Sequence, residues 1–101
     1  MIYELTRDAM AEYESELFQV LDASGSPVTL QLTQVTPRRA TRRQEMFSLV
    51  FRGPAERFLP QRMYRLEHDR LGRFDLLLVP IAQDGAGFVY EAAFNRLIQA
   101  E

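Results

Sequence analysis

Alternation of apolar and polar residues over short segments is the feature that most constrains how this chain can fold. In VTLQLT, Val28, Leu30 and Leu32 fall on one side of an extended backbone, and the Thr and Gln residues between them fall on the other. This period of two indicates a β-strand with one buried and one wet face. Six segments have strand character, at residues 17–21, 28–33, 46–51, 63–68, 73–81 and 88–94. The chain is therefore predicted to be mainly β.

Turn residues separate these segments and place them in hairpin order. DASGSP at 22–27 and Asp84-Gly85 tolerate turn geometry, and Gly53-Pro54 ends the third strand. Six antiparallel strands can form a sandwich or a small barrel. A barrel is favoured because LLLVPI at 76–81 is apolar throughout, as in a strand covered on both faces. The 101 residues suffice for a single domain, 1–101.

Two segments have no strand character. Thr6 can cap a helix with Asp8 in its first turn, and an apolar stripe follows. Residues 7–15 are accordingly predicted to form a short amphipathic helix that plugs an open end of the barrel or covers an edge. Residues 36–45, TPRRATRRQE, have no apolar periodicity, and this segment is predicted to be a mobile loop.

Charge is distributed unevenly, and all twelve basic residues are arginine. Residues 1–22 carry a net charge of −5, whereas residues 38–73 carry +6. The basic candidates for partner binding are Arg38, Arg39, Arg42 and Arg43, and the acidic candidates are Glu12, Glu14 and Glu16. Two interpretations stay open: the basic segment pairs with acids of its own chain, or it docks onto an acidic surface of a neighbouring copy or a different protein.

Nucleic acid is not expected as the main partner. The net charge of the chain is −2, and no aromatic residue is interleaved with the four arginines to stack on bases. The start of the chain lacks the layout of a signal peptide, and no apolar run approaches the length of a membrane span. We therefore expect a cytoplasmic protein with a protein partner or self-association.

The residues that could support catalysis do not form a convincing set. LEHD at 66–69 offers Glu67, His68 and Asp69, but successive side chains on a strand point to opposite faces. The chain has one histidine and no cysteine, so neither a thiolate metal site nor a thiol nucleophile is possible. We predict no enzyme activity, no metal and no cofactor, and we interpret His68 as a residue packed partly in the core.

Several segments together resemble a known family. FSLVFRGP, LPQRMYRLEHDRLG, LLLVPI and YEAAFN, in this order across residues 17–95, are similar to a family of small uncharacterised bacterial domains. Arg62 stands where that pattern has a glycine. The resemblance implies no assigned activity and an association with phage-tail-collar-like fibre genes, and hence an assembly or accessory role.

Two hypotheses of function follow. The first is a non-catalytic interaction or assembly subunit, accessory to a phage-tail-like or fibre structure. The alternative is a β-barrel that binds a small molecule at its mouth, suggested by an excess of aromatic residues. These residues are Phe47, Phe51, Phe58, Tyr64, Phe74, Phe88, Tyr90 and Phe94.

Overall fold

Six antiparallel strands form the fold of this chain. The computed structural model describes residues 10–40 and 44–97. Its strands are β1 (Leu17–Val20), β2 (Val28–Ala40), β3 (Gln44–Gly53), β4 (Arg62–His68), β5 (Gly72–Asp84) and β6 (Gly87–Leu97). They close into a barrel in the order β1-β2-β3-β6-β5-β4. The predicted six-stranded antiparallel barrel is confirmed.

The barrel interior is filled by side chains. Phe18, Phe47, Phe51 and Tyr90 are completely buried, and the inward-facing leucines and valines of β1 to β5 are buried around them. The rings of Phe18 and Phe51 meet edge to face at 5.4 Å, a favourable arrangement for two aromatic rings. A small barrel has an interior just wide enough for such side chains. This packing counts against a ligand site inside the barrel.

The barrel closes where β1 meets β4, and this ladder is short. Only two residue pairs join these strands, Gln19 with Glu67 and Val20 with Leu66. The chain continues the ladder beyond the strand: the Leu21 N–H donates to the Arg65 carbonyl at 2.8 Å. The carboxylate of Asp22 then accepts from the Arg65 N–H at 2.8 Å. A side chain therefore extends the closure where β1 ends.

The predicted helix at 7–15 is not present as such in the part of the chain that the structure describes. Residues 7–9 lie outside the described residues; Met10 and Ala11 are helical, and residues 12–15 form turns. Ser15 has a positive φ of 75°, a conformation that ends a helix. The segment still contributes to the core, because Met10 is completely buried and Tyr13 packs against the core cluster.

The prediction of a mobile loop at 36–45 is wrong for the residues that the structure describes. β2 continues to Ala40 and β3 begins at Gln44, with Thr36 paired to Ser48 and Ala40 paired to Glu45. β2 pairs with β1 only at residues 28–31, and β6 pairs with β5 only at residues 87–91. Beyond these points β2, β3 and β6 form a three-stranded extension, and the molecule is elongated, with extents of 47 × 29 × 23 Å.

The outer edge of β2 in this extension is protected against further strand pairing. The Val35 N–H points away from β3 and donates to the Glu14 carboxylate at 2.7 Å. Pro37 follows two residues later in unbroken register, so its nitrogen occupies the next outward position and carries no hydrogen. Capped and missing donors are both known means of blocking edge-to-edge association.

The prediction that residues 76–81 are covered on both faces is also wrong. Leu76 and Leu78 are buried inside the barrel, but Leu77 and Ile81 are about half exposed on its outside. A bulge between Pro80 and Ala82 interrupts the pairing of β5 with β6. The described chain supplies only one of the two covers that this apolar run suggested.

The hairpin between β5 and β6 depends on one glycine. Gly87 has a φ of 151°, and a Cβ added there would overlap the carbonyl oxygen of Gly53 on β3. Gly85, in the same hairpin, has no heavy atom within 4 Å of an added Cβ. The two positions therefore form a matched pair for substitution.

We expect Gly87→Ala to lower the free energy of unfolding by about 3 kcal/mol or more, because both the backbone strain and the overlap must be relieved by moving strands. This corresponds to a fall in melting temperature of at least about 10 °C. Gly85→Ala should change it by no more than about 2 °C. Thermal unfolding followed by circular dichroism measures both, and equal effects of the two substitutions would contradict the assigned contact.

Candidate interaction surface

Four apolar side chains form a patch on the outside of the barrel. Met63, Leu77 and Ile81 are 56%, 45% and 52% exposed. Met63 and Leu77 are direct cross-strand neighbours on β4 and β5, and Val79, which is half-buried, lies between Leu77 and Ile81. We call Met63, Leu77, Val79 and Ile81 the β5 face.

The β5 face departs from the usual pattern of an antiparallel sheet. Strands with one buried face normally turn polar side chains to solvent, as β2 does with Thr29 and Gln31, which are exposed. Isolated exposed apolar residues are common on proteins. A contiguous patch rimmed by polar residues is instead typical of a protein–protein interface.

Ion pairs border the β5 face at both ends of β5. Near its start, the Arg65 guanidinium lies 3.2 Å from Asp75, and this hydrogen bond raises the pKa of Arg65 above its ordinary value. At its end, Asp84 is paired with Arg52 of β3. This pairing, with backbone hydrogen bonds from the turn, holds the pKa of Asp84 below its ordinary value. Both acids are therefore neutralised by arginines of the same chain.

Two small clefts lie on the surface of the described residues, and the smaller one adjoins the β5 face. The larger, about 250 Å³, lies between the β1–β2 connection and the segment before β4, and its lining includes Arg57, Phe58, Arg62 and Tyr64. The smaller, about 190 Å³, lies beside Met63. Both volumes are below the roughly 300–1,000 Å³ of typical small-molecule sites. The clefts therefore do not favour the small-molecule alternative.

The two arginines of the larger cleft are held by contacts within the protein. Arg57 donates to the Ser26 hydroxyl at 2.8 Å and to the carbonyl oxygens of Ser24 and Ser26 at 2.7 Å each. Arg62 donates to the Asp22 carbonyl at 2.9 Å and lies 4.1 Å from the centre of the Tyr64 ring. These contacts give both arginines a role in fixing the connection between β1 and β2.

Two of the four arginines predicted to bind a partner lie in the three-stranded extension. The backbones of Arg38 and Arg39 belong to β2, whereas Arg42 and Arg43 lie outside the described residues. The basic stretch thus begins on a strand, not in a loop. Its contacts stay a prediction.

The three predicted acidic residues have different environments. Glu12 is exposed. The Glu14 carboxylate accepts a hydrogen bond from the Val35 N–H. Val35 lies three residues before Arg38 on β2. Glu16 is held between His68 and Arg70, at 2.6 Å and 3.0 Å. Two of the three acids therefore already serve the fold.

His68 is buried and has partners on both ring nitrogens. Its Nδ1 accepts from the N–H groups of Arg70 and Leu71 at 3.1 Å and 3.3 Å. Nε2 must then carry the proton of the neutral ring, and it donates to Glu16 at 2.6 Å. The ring also packs against Phe18 at 4.7 Å. This agrees with the interpretation of His68 as a core residue, and the bond to Glu16 is the part that sequence reasoning missed.

The rest of the LEHD motif does not converge on His68. Glu67 pairs with Arg73 at 3.0 Å on the outside of the sheet, as the alternation of a strand requires. Within residues 10–40 and 44–97, no group of three or more potential ligands could hold a metal ion. In the same part of the chain, no helix has the length and apolarity needed to cross a membrane.

Sequence reasoning also missed the β5 face as a surface. Its signal was the uninterrupted apolar run at 76–81, which was interpreted as a strand covered by its own chain. An equally apolar run arises when another molecule supplies the second cover. The exposed Met63 opposite Leu77 could not be assigned to the same patch before the register of β4 and β5 was known.

We expect Glu16→Ala to lower the free energy of unfolding by about 1–3 kcal/mol, because it leaves the buried Nε2–H of His68 without an acceptor. Glu12→Ala removes an exposed acid of the same turn and serves as the control. Urea unfolding of both variants measures the difference. Equal stability of the two variants would show that the Glu16–His68 contact does not support the fold.

Comparisons with known proteins place the chain in a family but assign it no activity. Neither the comparison with curated proteins nor the comparison with solved structures found a match. One family model matches residues 5–94, which include all of β1 to β5 and most of β6. This match is consistent with the resemblance to small uncharacterised domains. The chain therefore belongs to the family described as Domain of unknown function (DUF6916).

Proposed function

We propose that this protein is a non-catalytic interaction or assembly subunit. The observation that carries the proposal is the β5 face, where three large apolar side chains are about half exposed on a sheet surface. Covering the exposed parts of Met63, Leu77 and Ile81 would contribute roughly 2–4 kcal/mol. That range corresponds to an increase in association constant of about 30-fold or more.

The rest of the described chain supports a binding role over a catalytic one. The single histidine uses both ring nitrogens within the fold, and the barrel interior is occupied by side chains. The resemblance to small bacterial domains supports the finer form of the proposal, an accessory of a phage-tail-like or fibre structure. We place the protein in the cytoplasm as part of the same proposal.

The basic segment at residues 38–43 provides a second contact in this proposal. Arg38, Arg39, Arg42 and Arg43 would meet an acidic surface on a neighbouring copy or a different protein. Glu12 is an exposed acid that a neighbouring copy could offer, and Glu14 is also exposed on the same turn. Each exposed ion pair contributes only about 0.2–1 kcal/mol, so the four arginines would have to act together.

Replacing Leu77 and Ile81 together with Glu tests the main proposal. We expect association to be lost while the melting temperature changes little, because both side chains point outward. The control is the double substitution Thr29→Glu and Gln31→Glu, which adds the same charge to exposed positions on the opposite side of the barrel. Light scattering and native mass spectrometry across protein concentration provide the measurement.

Two results would contradict the proposal. One is a wild-type protein that remains strictly monomeric and captures no partner from the lysate of its native host. The other is an association constant that is the same in three variants: the Leu77 and Ile81 variant, the control variant, and the variant without the four arginines.

Replacing Arg38, Arg39, Arg42 and Arg43 with Gln tests the second contact. We expect unchanged melting, association weakened by about tenfold, which corresponds to about 1.4 kcal/mol, and a smaller dependence on salt. A sharp fall in melting temperature with unchanged association would show instead that the arginines pair with acids of their own chain.

A further inference from the structure

One side of β6 is open in the three-stranded extension. β3 pairs with β6 as far as Leu97, whereas β5 pairs with it only at residues 87–91. Within residues 10–40 and 44–97, no strand pairs with residues 92–97 on the side away from β3. We call this side of residues 92–97 the β6 edge.

The pairing of the extension determines which backbone groups point to the β6 edge. The Val35 N–H points away from β3, so Leu49, which lies opposite Val35, directs its N–H and C=O groups toward β6. Ala92 lies opposite Leu49 on β6 and therefore directs its own groups back toward β3. Because this direction alternates along a strand, the residues whose N–H and C=O groups face the β6 edge are Ala93, Asn95 and Leu97.

The β6 edge differs from the β2 edge on the other side of the same extension. The β2 edge is blocked, because Val35 is capped by Glu14 and Pro37 has no N–H. Residues 92–97, AAFNRL, contain no proline, and the exposed Ala93 has a side chain too small to shield the backbone. Proteins usually protect exposed strand edges. Protection of one edge beside an unprotected one therefore indicates that the second edge is used for pairing.

We propose that the β6 edge pairs with the β6 edge of a second copy of this chain in an antiparallel, two-fold symmetric dimer. An extended strand offers donors and acceptors at the spacing of the unpaired groups. Two identical edges match each other about a two-fold axis perpendicular to the sheet, so that each contact occurs twice. The joint sheet has the order β2-β3-β6-β6-β3-β2. Both of its outer edges are blocked β2 edges, so growth stops at two copies.

The register that pairs all three edge-facing residues places Asn95 opposite Asn95 of the copy. Ala93 then lies opposite Leu97 of the copy, and Leu97 lies opposite Ala93. Each of these residues donates one hydrogen bond across the interface and accepts one, as in any antiparallel ladder. The dimer therefore satisfies the backbone groups that the described chain leaves unpaired along this edge.

The charged positions of β6 are compatible with this register. Glu91 lies four residues from the centre in each copy, so the two glutamates are separated by about 27 Å along the strands. Arg96 lies opposite position 94 of the copy and not opposite itself. Its direct neighbour on β3 is an acid, Glu45. The pairing therefore places no like charges directly opposite each other, which would destabilise it.

Ala93→Pro tests the dimer, because it removes an N–H that faces the β6 edge and leaves the hydrogen bonds to β3 in place. We expect dimerisation to weaken by about tenfold or more. The melting temperature should change little, because proline is tolerated where the N–H of an edge strand faces solvent. Ala93→Ser keeps the N–H at the same exposed position and is the matched control. Sedimentation across protein concentration measures both variants and should show a wild-type dimer that dissociates on dilution.

A single cysteine tests the register, even if the proline variant fails to fold. The chain has no cysteine of its own. Asn95→Cys places two thiols opposite each other at the axis, where the Cα atoms of an antiparallel pair are about 5.5 Å apart, within reach of a disulfide. We expect mild oxidation to give a covalent dimer. Thr29→Cys, at an exposed position of β2, is the control and should stay monomeric.

The outcomes separate this inference from the proposed function, which rests on the β5 face. The association that Leu77→Glu with Ile81→Glu is expected to abolish runs through the β5 face, so the β6 dimer should persist in that variant. Any of three results overturns the dimer: a wild-type monomer, dimerisation that a folded Ala93→Pro variant retains in full, or Asn95→Cys crosslinking no more than Thr29→Cys. If the protein then still binds a partner through the β5 face, the proposed function stands without the dimer.

Discussion

Closure of the barrel between β1 and β4 is the constraint on which the rest of this structure depends. β1 is only four residues long, and two residue pairs cannot hold a sheet edge on their own. Side chains complete the closure: Asp22 accepts from the Arg65 N–H at one end. At the other end Glu16 connects the segment before β1 to His68 and Arg70. His68, the one histidine in the sequence, binds Glu16 beyond the end of the backbone pairing between β1 and β4.

Closure also determines which surfaces remain available for binding. A closed barrel has no free strand edges in its body, and the edge of β2 in the extension is capped at Val35 and lacks a donor at Pro37. Addition of a partner strand is therefore disfavoured at this edge. The outer sheet faces, the extension and the edge of β6 beyond its pairing with β5 remain available for contact.

Much of the fold could be predicted from the sequence, because alternation of apolar and polar residues indicates both an extended conformation and which face of the strand is buried. Val28, Leu30 and Leu32 are all buried as their spacing indicated. The extension could not be predicted, because Thr36 to Ala40 pair with β3 without an apolar face, and backbone hydrogen bonds leave no pattern in the sequence. The apolar run at 76–81 predicted cover on both faces, but Leu77 and Ile81 are about half exposed, because apolar composition alone does not determine that a face is buried.

The extension of β2, β3 and β6 gives the barrel a long axis of 47 Å against 29 and 23 Å for the other two. If two copies paired through one side of such a barrel, the pair would present two identical arms. Binding of the first arm to a repetitive surface would hold the second near its own site at a high effective concentration, so weak individual contacts would add up to avidity. The arrangement suits a target with regularly spaced sites, and the spacing of the arms would select among targets that have the same local chemistry.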